Sequence, residues 1–268
     1  MKVGFLGAGN MAGAIVRGAV AGGAVAADDI AVTSAHGSAR ALAGETGVTA
    51  LADNAELVRW TGRGGAVVVA VKPYLFAEVL EPLRAELAGA GSLVVSLAAG
   101  LTLERLESML PDGQAVIRVM PNVNAMVGAG MAGVCGNDAV GQDQLDAVVA
   151  LFEAVGAATV LPERLFPAYA AIAGSAPAWT AAYVEALARA AVKNGMPKQQ
   201  AVTIAAQMML GTARTLLERE LAPADLMDMV SSPGGTTIAG TVALEDAGFS
   251  AAAARAVQAA VDRDRELS

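Results

Sequence analysis

Val3-Gly4-Phe5-Leu6-Gly7-Ala8-Gly9-Asn10-Met11-Ala12 follows directly on Met1 and Lys2. Residues 2–6 read as a short buried strand. The glycines come at once, and a helix begins at Asn10 or Met11. A Gly-x-Gly-x-x-Gly/Ala turn between a strand and a helix is the setting of a dinucleotide-binding fingerprint. Gly7 permits the tight turn, Gly9 lets backbone approach a pyrophosphate, and Ala12 is small enough for helix and strand to pack. The helix start adds free N–H groups and a partial positive charge. Gly7, Ala8, Gly9, Asn10, Met11 and Ala12 are the candidate pyrophosphate contacts. The alternative is an ordinary tight turn in a flavodoxin-like or other α/β fold.

Outward from this turn, apolar runs alternate with helical stretches. Further strands are predicted at 30–33, 66–71, 93–97, 115–119 and 158–161. Helices are predicted at 11–21, 38–46, 74–88, 102–109 and 142–155, with Thr102 as an N-cap. The glycine-rich run 119–137, broken by Pro121, reads as strand and loop. Such alternation implies an α/β fold, a doubly wound and mostly parallel Rossmann sheet. From Pro162 onward only helical signals remain. Residues 162–193 read as one long helix, stopped by Asn194-Gly195. Pro197 opens the next helix, which runs to about 220, and Pro223 a short one to about 230. Two more follow, at 237–247 and from Ser250 to the end. The expected division is a dinucleotide-binding domain at 1–161 and an all-helical domain at 162–268.

Composition narrows the chemistry. The 268 residues are 55% apolar and carry a net charge of −8, with a single cysteine and a single histidine. Cys135 alone makes neither a disulfide nor a cysteine-based metal site. His36 alone does not make a histidine-rich metal site or a Ser-His-Asp triad, so no metal is expected. The acidic balance argues against nucleic acid. The longest uncharged run, 165–184, contains Pro167, Gly174, Ser175 and Pro177, which suits a buried helix better than a bilayer span. A strand beginning at Lys2 leaves no room for a usual signal peptide, so a cytoplasmic protein is expected, with no membrane partner. Chemistry without metal or a catalytic histidine points to an organic cofactor.

The end of the second predicted strand speaks to which dinucleotide. An NAD site usually places Asp or Glu there to hold the ribose 2′-hydroxyl. Here the strand ends Val32-Thr33-Ser34-Ala35-His36, with Arg40 further on and no carboxylate. Hydroxyls, an imidazole and a guanidinium suit a 2′-phosphate, so NADPH is the expected cofactor, with NADH as the alternative. Later strand ends supply Ala70-Val71-Lys72-Pro73, Ser96-Leu97-Ala98 and Met120-Pro121-Asn122. These ends face the ligand crevice in such sheets. Asn54 reads as part of a loop above the same crevice.

In the helical half, Val230-Ser231-Ser232-Pro233-Gly234-Gly235-Thr236-Thr237-Ile238-Ala239-Gly240 is the most specific stretch. Hydroxyls and glycines at a helix start make an anion pocket suited to a carboxylate. Taken alone it is equally a capped helix with a glycine turn.

With these motifs in hand, the chain resembles the Δ1-pyrroline-5-carboxylate reductases, the last enzymes of proline synthesis. The likeness rests on Gly7–Ala12, Ala70-Val71-Lys72-Pro73, Arg118-Val119-Met120-Pro121-Asn122, the 230–240 stretch and Leu244-Glu245-Asp246-Ala247-Gly248-Phe249. It spans essentially the whole length. The resemblance implies a Rossmann domain followed by a helical domain that builds a homodimer, with dimers assembling into larger rings. It implies that Ser231, Ser232, Gly234, Gly235, Thr236 and Thr237 hold a substrate carboxylate, with the Thr237 hydroxyl near the ring nitrogen as the catalytic contact. It further implies NADPH contacts at Ser34, Asn54, Lys72 and residues 96–98. The implied reaction is hydride transfer to the C=N bond of a cyclic imine carboxylate, 1-pyrroline-5-carboxylate, giving L-proline.

Two stretches depart from the family pattern. Pro121-Asn122-Val123-Asn124 stands where Pro-Asn-Thr-Pro is usual. Ala173-Gly174-Ser175-Ala176-Pro177-Ala178 stands where Ser-Gly-Ser-Gly-Pro-Ala is usual. Ala176 narrows the space and Ala173 removes a hydroxyl, so both bear on substrate identity. Other readings are a reductase of another cyclic imine acid, a 3-hydroxyacid dehydrogenase-like enzyme using Lys193, and a non-catalytic cofactor-sensing scaffold.

Overall fold

The computed structural model describes residues 1–267. Eight strands form one sheet: β1(Val3–Leu6), β2(Ile30–Thr33), β3(Thr49–Ala50), β4(Ala66–Val69), β5(Leu93–Ser96), β6(Val116–Pro121), β7(Gly130–Gly136) and β8(Gly156–Val160). Their order is β3-β2-β1-β4-β5-β6-β7-β8. β1 to β6 run parallel; β7 is antiparallel to β6 and parallel to β8. The chain order reverses between β1 and β4, which puts the ligand crevice beyond their C-terminal ends.

Every residue of β1, β2, β4 and β5 is buried, as a parallel sheet covered on both faces requires. Alternation divides these residues between two cores. Val3, Phe5, Ile30, Val32, Ala66 and Val68 face one core. Leu6, Ala31, Val67, Val69 and Val94 face the other. The helices of this half are α1(Asn10–Ala21), α2(Ser38–Thr46), α3(Asn54–Thr61), α4(Phe76–Leu80), α5(Arg84–Ala90), α6(Leu103–Met109) and α7(Gln142–Glu153). Thr102 caps α6, accepting from Arg105 N at 3.2 Å. The helix expected at 74–88 is broken into α4 and α5, with a tight turn at Glu81–Leu83 that contains Pro82. The expected loop at Asn54 is instead the first residue of α3, capped by Asp53, whose Oδ1 accepts from Glu56 N at 2.7 Å.

The helical half contains α8(Phe166–Tyr169), α9(Ala176–Lys193), α10(Lys198–Glu218), α11(Pro223–Met229), α12(Thr236–Asp246) and α13(Phe249–Leu267). The single helix expected at 162–193 is two. A π-helical turn at Ala170–Ser175 joins α8 to α9. The cause is local: Pro177 has no N–H, so the α-helical bond to the carbonyl four residues back, at Ala173, cannot form.

By contacts the chain forms two compact units, residues 1–174 with 260–267, and residues 175–259. In the second unit α9 packs along α10. Only Ala188, Ala201 and Ala205 are buried there, among the described residues. Small side chains let the two helix backbones approach. Ile204, Met208, Leu210 and Val242 stay exposed.

Candidate active site

The C-terminal ends of β1, β2, β4, β5 and β6 bring most of the sequence-read cofactor residues to one edge of the sheet. Gly7 N donates to Thr33 O at 3.1 Å, and Ala70 N to Leu6 O at 2.9 Å. Gly7 has φ +105°, and a Cβ there would lie 3.0 Å from Ala70 O. Only glycine fits that turn. Gly9 is different: its backbone is extended, it caps α1, and a Cβ would meet nothing within 4 Å. The space above Gly9 is open toward the N-terminus of α1, whose first turn carries no acid. A pyrophosphate fits this cradle by both room and charge. Ala8 and Met11 are half-buried beside it, Asn10 is exposed, and Ala12 is buried against the sheet.

At the end of β2, Ser34 Oγ accepts from Ala39 N at 2.9 Å and so caps the start of α2. A cavity of about 370 Å³ opens here, lined by Ser34, Gly37, Ala39, Arg40 and Ala52 among others. Asn54 Oδ1 accepts from the buried Thr33 hydroxyl at 2.7 Å, which leaves its NH2 group as a donor. Ala70 and Val71 are half-buried; Lys72 and Pro73 are exposed. Ser96 is fully buried and its Oγ accepts from Ala98 N at 3.2 Å, so the hydroxyl serves the chain itself. Leu97 is half-buried and Ala98 is 2% exposed.

Asn122 is also buried, and both ends of its carboxamide are occupied. Oδ1 accepts from Met131 N at 3.1 Å and Nδ2 donates to Ala173 O at 3.0 Å. Neighbouring positions on β6 engage the same helical segment. Arg118 pairs with Glu163 and stacks on Phe166. The Tyr169 hydroxyl lies 3.0 Å from Met120 O and 2.8 Å from Met131 O. Sequence reasoning singled out Arg118 and Asn122 but not Glu163, Phe166 or Tyr169. The available signal was Pro177, four residues after Ala173, which marks a carbonyl in need of another donor.

The Ser231-to-Thr237 stretch lies in the second unit. Gly234 takes φ +69°. Gly235 caps α12 with extended backbone, and its N–H donates to Ser232 O at 3.0 Å. Ser231 is half-buried; Ser232, Thr236 and Thr237 are exposed. The first turn of α12 holds no acid, so its leading N–H groups and two threonine hydroxyls form an anion-seeking surface.

A doubly wound sheet with an acid-free glycine cradle at its first turn fits the class of nicotinamide-dinucleotide oxidoreductases. Residues 163–267 match the family model for pyrroline-5-carboxylate reductase dimerisation. Residues 2–100 match that for NADP oxidoreductase, coenzyme F420-dependent. The chain is 41% identical to a pyrroline-5-carboxylate reductase from Synechocystis sp., over 100% of this chain and 98% of the relative. A pyrroline-5-carboxylate reductase structure from Coxiella burnetii superposes with TM-score 0.94 at 34% identity, covering 100% of this chain and 98% of that one. The Plasmodium falciparum pyrroline carboxylate reductase with NADP bound gives TM-score 0.84 at 26% identity, with the same coverage. The chain belongs to the pyrroline-5-carboxylate reductase family.

Proposed function

We propose that this protein reduces 1-pyrroline-5-carboxylate to L-proline with NADPH, the last step of proline biosynthesis. The observation that carries the reading is a pair of acid-free helix N-termini, each capped by a glycine in extended backbone but of different kinds. One, at Gly9, is open enough for a pyrophosphate. The other, at Gly235, is flanked by the hydroxyls of Ser232, Thr236 and Thr237 and suits a carboxylate.

The bound dinucleotide supplies the hydride. Gly7 to Ala12 hold its pyrophosphate, and the residues at the ends of β4, β5 and β6 border its nicotinamide half. Ser34 and Arg40, beside the cavity at the end of β2, receive the 2′-phosphate. That favours NADPH over NADH. Residues 231–237 bind the carboxylate and fix the ring. The Thr237 hydroxyl hydrogen-bonds the ring nitrogen. A protonated imine is already electrophilic and carries its own proton, so little general acid is required of the protein. Rate then comes from orientation and from electrostatics around the imine.

The same reading makes the protein a homodimer through its helical half, with larger rings built from dimers. The family model for dimerisation over residues 163–267 supports the dimer, as do the exposed Ile204, Met208, Leu210 and Val242. That match begins just after the expected domain division at 161, whereas by contacts residues 162–174 and 260–267 go with the first unit. No described helix is long and apolar enough to cross a membrane, which accords with a cytoplasmic location.

Steady-state assays with NADPH and with NADH in parallel test the reading. The imine acids are pyrroline-5-carboxylate and its six-membered homologue, since Ala173 and Ala176 alter the family pattern. Oxidation of NADPH by the five-membered acid, with weaker use of NADH, is expected. No oxidation with either dinucleotide would overturn it.

A further inference from the structure

We infer that Asn122 is a positioning residue for the reaction: it holds the π-helical turn Ala170–Ser175 at the nicotinamide side of the crevice and does not bind the cofactor. The inference rests on the reductase reading given above.

Its first support is a backbone defect and its repair. Pro177 denies Ala173 O the helical N–H it would otherwise accept. A carbonyl withdrawn from water without a partner is destabilising. The Asn122 Nδ2 fills the vacancy at 3.0 Å. Its Oδ1 accepts from Met131 N at 3.1 Å. One partner is a carbonyl and the other an N–H, so the amide has one consistent orientation. Both ends of the carboxamide are engaged by the chain and the residue is 8% exposed, so Asn122 is committed to the protein rather than to a ligand.

The second support is register. Arg118 and Met120 alternate along β6, and Asn122 continues the alternation just past its end. They engage, in order, Glu163 and Phe166, then Tyr169, then Ala173. The helical segment therefore runs alongside β6 toward its C-terminal end and delivers residues 173 and 174 to the crevice edge. Gly174 sits against Met120 there, where a Cβ would lie 3.1 Å from Met120 Cε.

The third support is position in the sheet. β6 lies three strands from β1, about 14 Å at ordinary strand spacing, on the side away from β2. With the pyrophosphate at Gly9 and the 2′-phosphate beside β2, the nicotinamide falls toward β5 and β6. A π-turn at such a place commonly serves function. Asn122 ties this one to two strands of the sheet at once.

The test separates positioning from binding and from mere stability. Asn122→Asp keeps an acceptor for Met131 N–H but cannot donate to Ala173 O. NADPH affinity is measured by fluorescence titration without imine acid, turnover with saturating pyrroline-5-carboxylate, and folding by urea denaturation. The expected result is kcat down by roughly tenfold or more, NADPH Kd within about threefold, and a cooperative unfolding transition. Unchanged kcat, or an NADPH Kd that rises as much as kcat falls, would overturn the role. If the variant does not fold, Tyr169→Phe loosens the same turn while keeping the ring. It should lower kcat several-fold at unchanged NADPH affinity, and an unchanged kcat there also overturns the role. Wild-type protein inactive on every cyclic imine acid would sink the reductase reading itself, and the role with it.

Discussion

Arg118 Nη1 lies 3.0 Å from Glu163 Oε1, and the guanidinium stacks 4.4 Å from the centre of the Phe166 ring. The Arg118 side chain is 4% exposed, and its Nε has no hydrogen-bond partner. Among the described residues, Glu163 is the carboxylate seen paired with this buried charge. The same Oε1 accepts from Leu103 N at 2.7 Å and so also caps α6.

Glu163→Ala should therefore destabilise the fold by about 2–4 kcal/mol, because it strands a buried cation. Arg118→Met combined with Glu163→Ala should recover part of that loss. Urea denaturation of the single and double variants measures both. A single variant as stable as wild type would remove the pair from the account of the fold.

The two glycines of the first turn should respond differently. Gly7→Ala forces a Cβ against the Ala70 backbone at positive φ, so both stability and NADPH binding should fall. Gly9→Ala meets open space, so stability should fall only by the roughly 0.5–1 kcal/mol that separates glycine from alanine at an N-cap. NADPH affinity should nevertheless drop by about tenfold or more, because the new methyl occupies the phosphate's space. Isothermal titration beside thermal unfolding distinguishes the two. A Gly9→Ala protein with wild-type NADPH affinity would contradict the cradle.

Tyr169 gives a pH dependence. Burial holds its hydroxyl up at about 12, against an opposing contribution from the backbone at Gly133. The folded state thus keeps this proton more tightly than the unfolded chain, where tyrosine titrates near about 10. The stability so gained is present below about pH 10 and is lost as pH rises toward 12. Wild type should lose more stability than Tyr169→Phe between about pH 9 and pH 11. Parallel losses in the two proteins would contradict the assignment.

Much of the sheet was legible because its strands are continuous apolar runs and its punctuation is glycine. The expected strand at 30–33 and helix at 38–46 have the observed bounds. β7 is not separable within the run 119–137 by sequence, because Gly130-Met131-Ala132-Gly133 lacks the branched residues that mark a strand. Gly133 is there because the Tyr169 ring lies on it: a Cβ would sit 2.9 Å from Cε1. That is a non-local reason, invisible in the segment itself. α3 is only eight residues long, too short to show a period, although Asp53 and Glu56 mark its start. The cofactor turn could be read because its residues are contiguous. The use of Asn122 could not, because Met131 and Ala173 lie nine and fifty-one residues away.

Thr237 stands in the first turn of α12, exposed, with its carbonyl accepting from Thr241 Oγ1 at 3.0 Å. Its own hydroxyl is the group assigned to the ring nitrogen. Thr237→Ala should lower kcat by roughly tenfold to a hundredfold and leave NADPH affinity nearly unchanged. Thr237→Ser should restore most of the turnover. Equal loss of turnover and NADPH affinity would remove that role.

Isotope transfer tests hydride delivery to the cyclic imine most directly. The protein is incubated with pyrroline-5-carboxylate and NADPH deuterated at nicotinamide C4, and the product is examined by mass spectrometry and NMR. The expected product is L-proline with one deuterium on the ring carbon that was double-bonded to nitrogen. Absence of proline, or proline without the label, would contradict it.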